Sequence, residues 1–233
     1  MPSILDFALP LHNALLPLRL YADGAMYWPA GNTVFITDPH FGKAASFQHA
    51  GIAIPTALLE HDLARLTRIL QHAQASSLVI LGDFFHTRHS QSDHTLTTLT
   101  HWRAEHPTVD ITLVPGNHDL HAGPPPPELT ITTVADPFHV GPFVCHHQPQ
   151  PAADANGYIL AGHLHPCVVL RDRDGSSLRL ASFIFGRHQA VLPAFGRFTG
   201  GSTYTPAVGD RVFATAQGEI VEIPTARSPS PHR

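Results

Sequence analysis

Asp110-Ile111-Thr112-Leu113-Val114-Pro115-Gly116-Asn117-His118-Asp119 holds a complete structural sentence in one short stretch. Its first half is apolar and β-branched and is closed by Pro115-Gly116, which reads as a β-strand. Its second half delivers an amide, an imidazole and a carboxylate just past the strand's carboxyl end, where ligand sites form in open α/β sheets. With 19 histidines among 233 residues, and only 4 asparagines, a chance G-N-H-D is expected about 0.001 times per chain. The motif is therefore specific on its own.

Working outward, the same arrangement recurs. Thr33 to Thr37 reads as a strand and leads into Asp38-Pro39-His40, where Pro39 stiffens the loop. Ser77 to Leu81 leads into Gly82-Asp83-Phe84-Phe85-His86, Pro142 to Cys145 into His146-His147-Gln148-Pro149, and Tyr158 to Ala161 into Gly162-His163-Leu164-His165. Taken alone, a D-x-H is expected roughly once per chain and a G-H-x-H about 0.1 times, so it is their order and strand context that count. Five strand ends that each deliver carboxylate, amide or imidazole groups imply one shared site. Two helical patterns lie between the early strands. The first runs from about Thr56, an N-cap candidate after Pro55, to Gln74, with Leu59, Leu63, Leu66 and Leu70 on one face. The second runs from about Ser92 to Glu105 and carries Leu96, Leu99 and Trp102. Apolar runs at Cys167 to Leu170 and Leu178 to Phe185, and a hairpin over Val212 to Ile223 broken at Gln217-Gly218, make the C-terminal half β-rich. Strands alternating with helices, then mostly strands, point to a layered α/β sandwich.

Composition sets the outer bounds. At 233 residues and 43% hydrophobic the chain suits one domain, expected over 1–225. Residues 226–233, rich in Ser and Pro, read as a disordered tail, and Pro124 to Pro127 as a surface loop. No apolar run approaches the roughly 18 residues of a membrane span. Residues 1–20 lack a basic start and contain Pro10 and Pro17, so they make a poor signal peptide, and the chain is expected to be cytoplasmic. Cys145 and Cys167 read as small buried residues. The net charge is -4 and Lys43 is the only lysine. No basic run of the nucleic-acid-gripping kind is present, so affinity for DNA would have to come from scattered arginines and from metals. His12, His49, His61, His72, His94 and His101 lack acidic or histidine neighbours in sequence and read as surface residues.

Together the five blocks resemble the calcineurin-like metallophosphoesterase signature D-x-H, G-D, G-N-H-D/E, H, G-H-x-H, in order from Asp38 to His165. Ala25-Met26-Tyr27-Trp28-Pro29, Leu160 to Pro166 and Leu192 to Gly201 resemble more narrowly the bacterial ligase-associated DNA damage response endonucleases. The aromatic residues of those segments, Trp28, Phe195 and Phe198, still read first as core. The resemblance implies an α/β fold, a four-layer αββα sandwich, and hydrolysis of phosphodiesters in DNA or small molecules by a metal-bridging hydroxide. It implies two divalent ions, manganese before iron or zinc, and nitrogen and oxygen ligands without thiolate agree with that choice. Asp38, His40 and His165 would hold one ion, Asn117, His147 and His163 the other, and Asp83 both. His118 would stabilise the transition state or protonate the leaving oxygen, oriented by Asp119. A functional link to an ATP-dependent DNA ligase, a nuclease and a helicase would follow from the subgroup. Three readings stay open at this point: His146 in place of His147 as ligand, His86 facing the phosphate or packing beside the site, and a phosphomonoesterase or nucleotide or lipid-sugar pyrophosphatase in place of a diesterase. A non-catalytic scaffold would normally show ligand loss, and none is evident.

Overall fold

A computed structural model describes residues 3–11, 14–55, 57–151, 153–154, 156–172, 174–197 and 199–225. Thr56, Phe198 and the 226–233 tail, each singled out by sequence, lie outside the described residues. The first sheet has seven strands in chain order: β1 Ile4–Leu11, β2 Ala14–Tyr21, β3 Ala25–Trp28, β4 Thr33–Ile36, β5 Ser77–Leu81, β6 Asp110–Val114 and β7 Ile131–Thr133. The first four pair antiparallel, and β4 to β7 pair parallel. The parallel crossovers from β4 to β5 and from β5 to β6 carry α1 Lys43–His49 and α2 Leu58–Ala73, then α3 Asp93–Glu105. The single turn α4 Asp119–Ala122 follows β6.

The initial hairpin escaped the sequence reading because Pro10 and Pro17 argue against strands. Pro10 lies on the edge strand β1. Pro17 lies in β2, but β3 pairs only with Arg19, Leu20 and Tyr21. The missing N–H of Pro17 therefore falls where β2 has no neighbour on that side, and the ladder tolerates it.

Alternation of side chains sorts the first sheet's two faces. Val34, Ile36, Leu78, Ile80, Ile111 and Leu113 pack into one core with Leu59, Leu63, Leu66, Ile69 and Leu70 of α2 and with Leu99 and Trp102 of α3. Phe35, Val79, Leu81 and Val114 face the other way, into a second core shared with Phe143, Cys145, Tyr158, Leu160, Phe183, Phe185 and Phe213. Leu66 is fully buried in the first core, and truncating it to alanine costs about 2 to 5 kcal/mol.

The second sheet follows the order β14 Ser202–Thr203, β11 Pro166–Arg171, β12 Ser177–Phe185, β13 Gln189–Val191, β10 Tyr158–Ala161, β9 Phe143–Cys145 and β8 Phe138–Val140. The terminal hairpin, β15 Arg211–Ala216 with β16 Glu219–Ile223, is attached along β12. The mixed α/β sandwich with two large sheets is as expected. Its fourth layer differs, because among the described residues no α-helix follows the single turn α4. The outer face of the second sheet instead gathers a small cluster of Val168, Leu180, Ile184, Val191, Val212 and Ala214. Both cysteines are buried and free. No helix among the described residues is long and apolar enough to cross a membrane.

Candidate metal centre

Strands β4, β5 and β6 of the first sheet and β9 and β10 of the second run out at the same edge of the sandwich. Short links fix their ends: between the sheets Phe195 N donates to the Thr37 carbonyl at 2.8 Å and His163 N to Asp38 Oδ2 at 2.9 Å, and within the second sheet Gly162 N donates to the His147 carbonyl at 3.0 Å. The residues just past those ends converge. Asp38, His40 and His165 form one group and Asp83, His147 and His163 a second, the potential ligand atoms of each lying within 4.8 Å of one another. Asn117 joins the second group, its Oδ1 3.0 Å from His147 Nε2. Asp83 stands between the two, with Oδ1 3.5 Å from His147 Nε2 and Oδ2 3.7 Å from His40 Nε2.

The local backbone is bent to make this possible. Nine non-glycine residues among those described have positive φ, and five of them are Asp38, His40, Asp83, His163 and His165. Left-handed backbone costs roughly 1–2 kcal/mol for an ordinary L residue and is least unfavourable for Asn, Asp and His. Two glycines clear the space behind the carboxylates. A Cβ on Gly116 would lie 2.2 Å from Asp83 Oδ1, and one on Gly162 2.5 Å from Asp38 Oδ2.

Whether this chemistry suits cations is tested by hydrogen bonding. Six buried side-chain nitrogen or oxygen atoms make no well-aligned hydrogen bond among the described residues, and four belong to Asp38, His40, His86 and His165. Asp38 Oδ1 and His165 Nε2 face each other at 3.2 Å as an ion pair, which leaves His40 Nδ1 and His86 Nδ1 without any partner of that kind. Buried polar atoms are normally paired, so a cluster of unpaired ones points to missing positive charge. His147 Nδ1 lies 3.0 Å from the Leu81 carbonyl, and His163 Nδ1 3.1 Å from His147 Nε2. Donation from Nδ1–H to Leu81 leaves the Nε2 lone pair of His147 aimed at the cluster, the tautomer a metal ligand needs. Burial pushes the His40 imidazole down to about 2, which keeps it neutral and able to ligate. Burial raises Asp83, and positive charge beside it would restore the carboxylate form. At His165 burial pulls downward, but the Asp38 carboxylate 3.2 Å away outweighs it and the net shift is upward. An all-nitrogen-and-oxygen donor set split into two groups around one shared carboxylate fits two divalent ions.

The structure distinguishes the open alternatives. His147 turns inward and is buried, whereas His146 Nδ1 pairs with Asp136 Oδ1 and points away. Asp136 also takes the His147 N–H through Oδ2 at 3.0 Å, so one carboxylate, not singled out by the sequence, sets both histidines. His86 packs beside the centre, its ring stacked between Phe47 and His118, and it also belongs to a third group with His40 and His118.

One sequence expectation is corrected. Asp119 does not orient the His118 ring. Its Oδ2 accepts from the backbone N–H of Asp83 and of Gly116, both at 2.8 Å, and its Oδ1 from Phe85 N at 3.4 Å. The first turn of α4 points the carboxylate back under the two loops, where three amide donors outcompete an imidazole. His118 Nδ1 instead lies 2.7 Å from the His86 carbonyl, which leaves Nε2 facing the centre, 3.9 Å from Asp83 Oδ2. Adjacency of His and Asp in sequence gave no signal of this, because consecutive residues at a helix start point in different directions.

The family model for calcineurin-like phosphoesterases matches residues 31–159. The crystal structure of Pseudomonas putida nuclease MPE is 39% identical, covers 91% of this chain and 97% of that one, and superposes with a TM-score of 0.77. Yfce, a phosphoesterase from E. coli, is 17% identical, covers 79% of this chain and 88% of its own, and has a TM-score of 0.37, too loose to carry argument. No curated protein matches. A convergent Asp-His-Asn centre at the strand ends, a family match over more than half the chain and a 39% identical structural relative agree: the chain belongs to the calcineurin-like phosphoesterase family and is a metal-dependent phosphoesterase.

Proposed function

We propose that the protein is a dinuclear-metal phosphodiesterase that cleaves nucleic acid, with DNA repair as its setting and manganese as its metal. The carrying observation is the shared carboxylate: Asp83 presents one oxygen to each of two ligand groups. In this reading Asp38, His40 and His165 hold one ion and Asn117, His147 and His163 the other. Two bound cations supply a nucleophilic water at neutral pH and neutralise the phosphoryl oxygens.

The chain's own residues do the rest. Asp83 sets the spacing of the two groups. Asp136 and the Leu81 carbonyl fix the His147 ring from behind. The Nδ1–H of His118 donates to the His86 carbonyl, which turns Nε2 to the centre. As the imidazolium, with a second proton on Nε2, the ring gives that proton to the leaving oxygen as the P–O bond breaks and is left neutral with its Nδ1–H bond intact. That the 39% identical relative is a nuclease supports a polynucleotide substrate. The link to a DNA ligase, a nuclease and a helicase rests on the sequence resemblance alone, and a cytoplasmic location on the poor signal-peptide character of residues 1–20.

The test is metal-free protein reloaded with manganese and assayed side by side on bis-p-nitrophenyl phosphate, p-nitrophenyl phosphate, single-stranded DNA and duplex DNA. Cleavage of the diester and of DNA in preference to the monoester is expected. A preference for the monoester would overturn the reading.

A further inference from the structure

Beside the metal centre runs a narrow cleft lined by His40, Lys43, Phe47, Leu59, Asp62 and Arg197. Two of these are cations that the sequence separates by most of the chain. Lys43, the only lysine, has no ion pair among the described residues; its Nζ sits 5.8 Å over the Phe47 ring. Phe47 in turn stacks on His86, which stacks on His118. A cation–π contact thus parks an ammonium at the rim without neutralising it, within electrostatic reach of His40, His86 and Asp83.

Arg197 lines the same cleft from a distant part of the chain. The segment before it is clamped onto the first ligand loop, with Gly196 N donating to the Asp38 carbonyl at 3.2 Å. Its backbone N–H donates to Asp62 Oδ2 at 3.3 Å. The Asp62 charge is already taken by buried Arg65, whose Nη1 lies 2.7 Å from Oδ1. The Arg197 guanidinium stays 3.9 Å from that carboxylate and is 51% exposed. One cleft is therefore lined by an ammonium with no ion pair among the described residues, a loosely held guanidinium and a candidate metal ligand, His40.

Resting on the phosphodiesterase reading above, we infer that Lys43 and Arg197 form a subsite for the phosphate that flanks the scissile one along a nucleic-acid strand. The substrate class is then an oligonucleotide with at least two phosphates. A fork of five N–H donors and a mobile point charge suit a phosphate diester jointly. The pair also supplies locally the positive charge that a chain of net charge -4 lacks in its sequence. Both residues act as positioning residues, holding the strand so that its neighbouring phosphate falls between the two ligand groups.

Two measurements on the full chain test this. First, binding of a fluorescein-labelled four-nucleotide oligothymidylate to metal-free protein is followed by anisotropy across a salt titration. Lys43→Gln and Arg197→Gln should each weaken binding about tenfold, and the double variant should lower the magnitude of the log K against log salt slope by about 0.7, the share of one phosphate. Lys43→Arg should keep the slope. Second, manganese-loaded protein is assayed on thymidylyl-thymidine with and without a terminal phosphate on either end. The wild type should prefer one phosphorylated form about tenfold through KM, and the double variant should lose that preference. Unchanged binding in the double variant, or equal losses on the one-phosphate and two-phosphate substrates, would overturn the subsite, the latter by assigning the cations to the scissile phosphate. A wild type that cleaves none of these diesters would defeat the phosphodiesterase reading instead, while the binding measurement would still decide the subsite.

Discussion

Replacing Asp119 by alanine and by asparagine separates support of the loops from orientation of His118. The carboxylate takes two backbone N–H groups at 2.8 Å through Oδ2 and a third at 3.4 Å through Oδ1. It is buried with 8% of its surface exposed, so water does not readily replace it. Asp119→Ala leaves all three donors unmet. At about 1 to 3 kcal/mol for each well-made bond lost in a buried site, the expected loss is about 3 to 5 kcal/mol. For a chain of this size that lowers the melting temperature by roughly 10 °C. Asp119→Asn can set its amide oxygen in the place of Oδ2, keep both short bonds and lose only the long one and the charge, for about 1 to 2 kcal/mol. Thermal melts of both variants, paired with rates on a nitrophenyl diester and on a DNA diester, check this. The ratio of the two rates should stay near the wild-type ratio in both variants, because His118 is held by the His86 carbonyl. The reasoning fails if Asp119→Asn melts like the wild type yet loses selectively on the poorer leaving group.

His118→Ala should keep its metal content while losing about 10²- to 10⁴-fold on a DNA diester and less on a nitrophenyl ester, whose leaving group needs no proton; metal analysis and the two assays check it, and a lost ion would make His118 a ligand. Asp83→Asn should abolish turnover and lower occupancy of both ions, since one carboxylate faces both groups; full activity with both ions bound would refute the shared bridge. Single-stranded DNA binding should show a shallow salt dependence, with a slope near -1.4 if two phosphates are neutralised; a slope expected for six or more contacts would reveal further cations on the binding path.

What could be read from sequence was whatever sits in one contiguous block. Each motif follows its strand directly, so β4, β5, β6, β9 and β10 carried their polar residues with them, and the seven residues that converge at the strand ends stood together as motifs before any geometry. The apolar spacing of Leu59, Leu63, Leu66 and Leu70 placed α2 for the same reason. What arrives by tertiary folding was not legible. Arg197 lines the same cleft as Lys43 because Phe195 and Gly196 dock on Thr37 and Asp38. Asp136 reaches both histidines of the fourth block from eleven positions before His147. The β1–β2 hairpin was hidden because its prolines obey a rule about neighbours, and strand neighbours are not visible in one sequence. The outer helix layer, not seen among the described residues, was an inference from resemblance, and no second run of helical periodicity in the C-terminal half stood behind it.

The same distinction explains why the centre looks wrong by local rules and right by global ones. Left-handed backbone at Asp38, His40, Asp83, His163 and His165 is unfavourable for each residue taken alone. So is a set of buried nitrogen and oxygen atoms without well-aligned hydrogen bonds at Asp38, His40, His86 and His165. Well-packed cores on both faces of the first sheet hold these loops in place, which is the condition under which strained backbone persists. Each bend turns a short side chain inward from a strand end, where an extended continuation would have carried alternate residues away from the cluster. Strain and unpaired polarity fall on the same few residues because both follow from aiming many donors at one small volume. A protein selected only for stability would relax both, so their coincidence at the matched motifs is an argument for cation chemistry that does not depend on the resemblance of the sequence to any family.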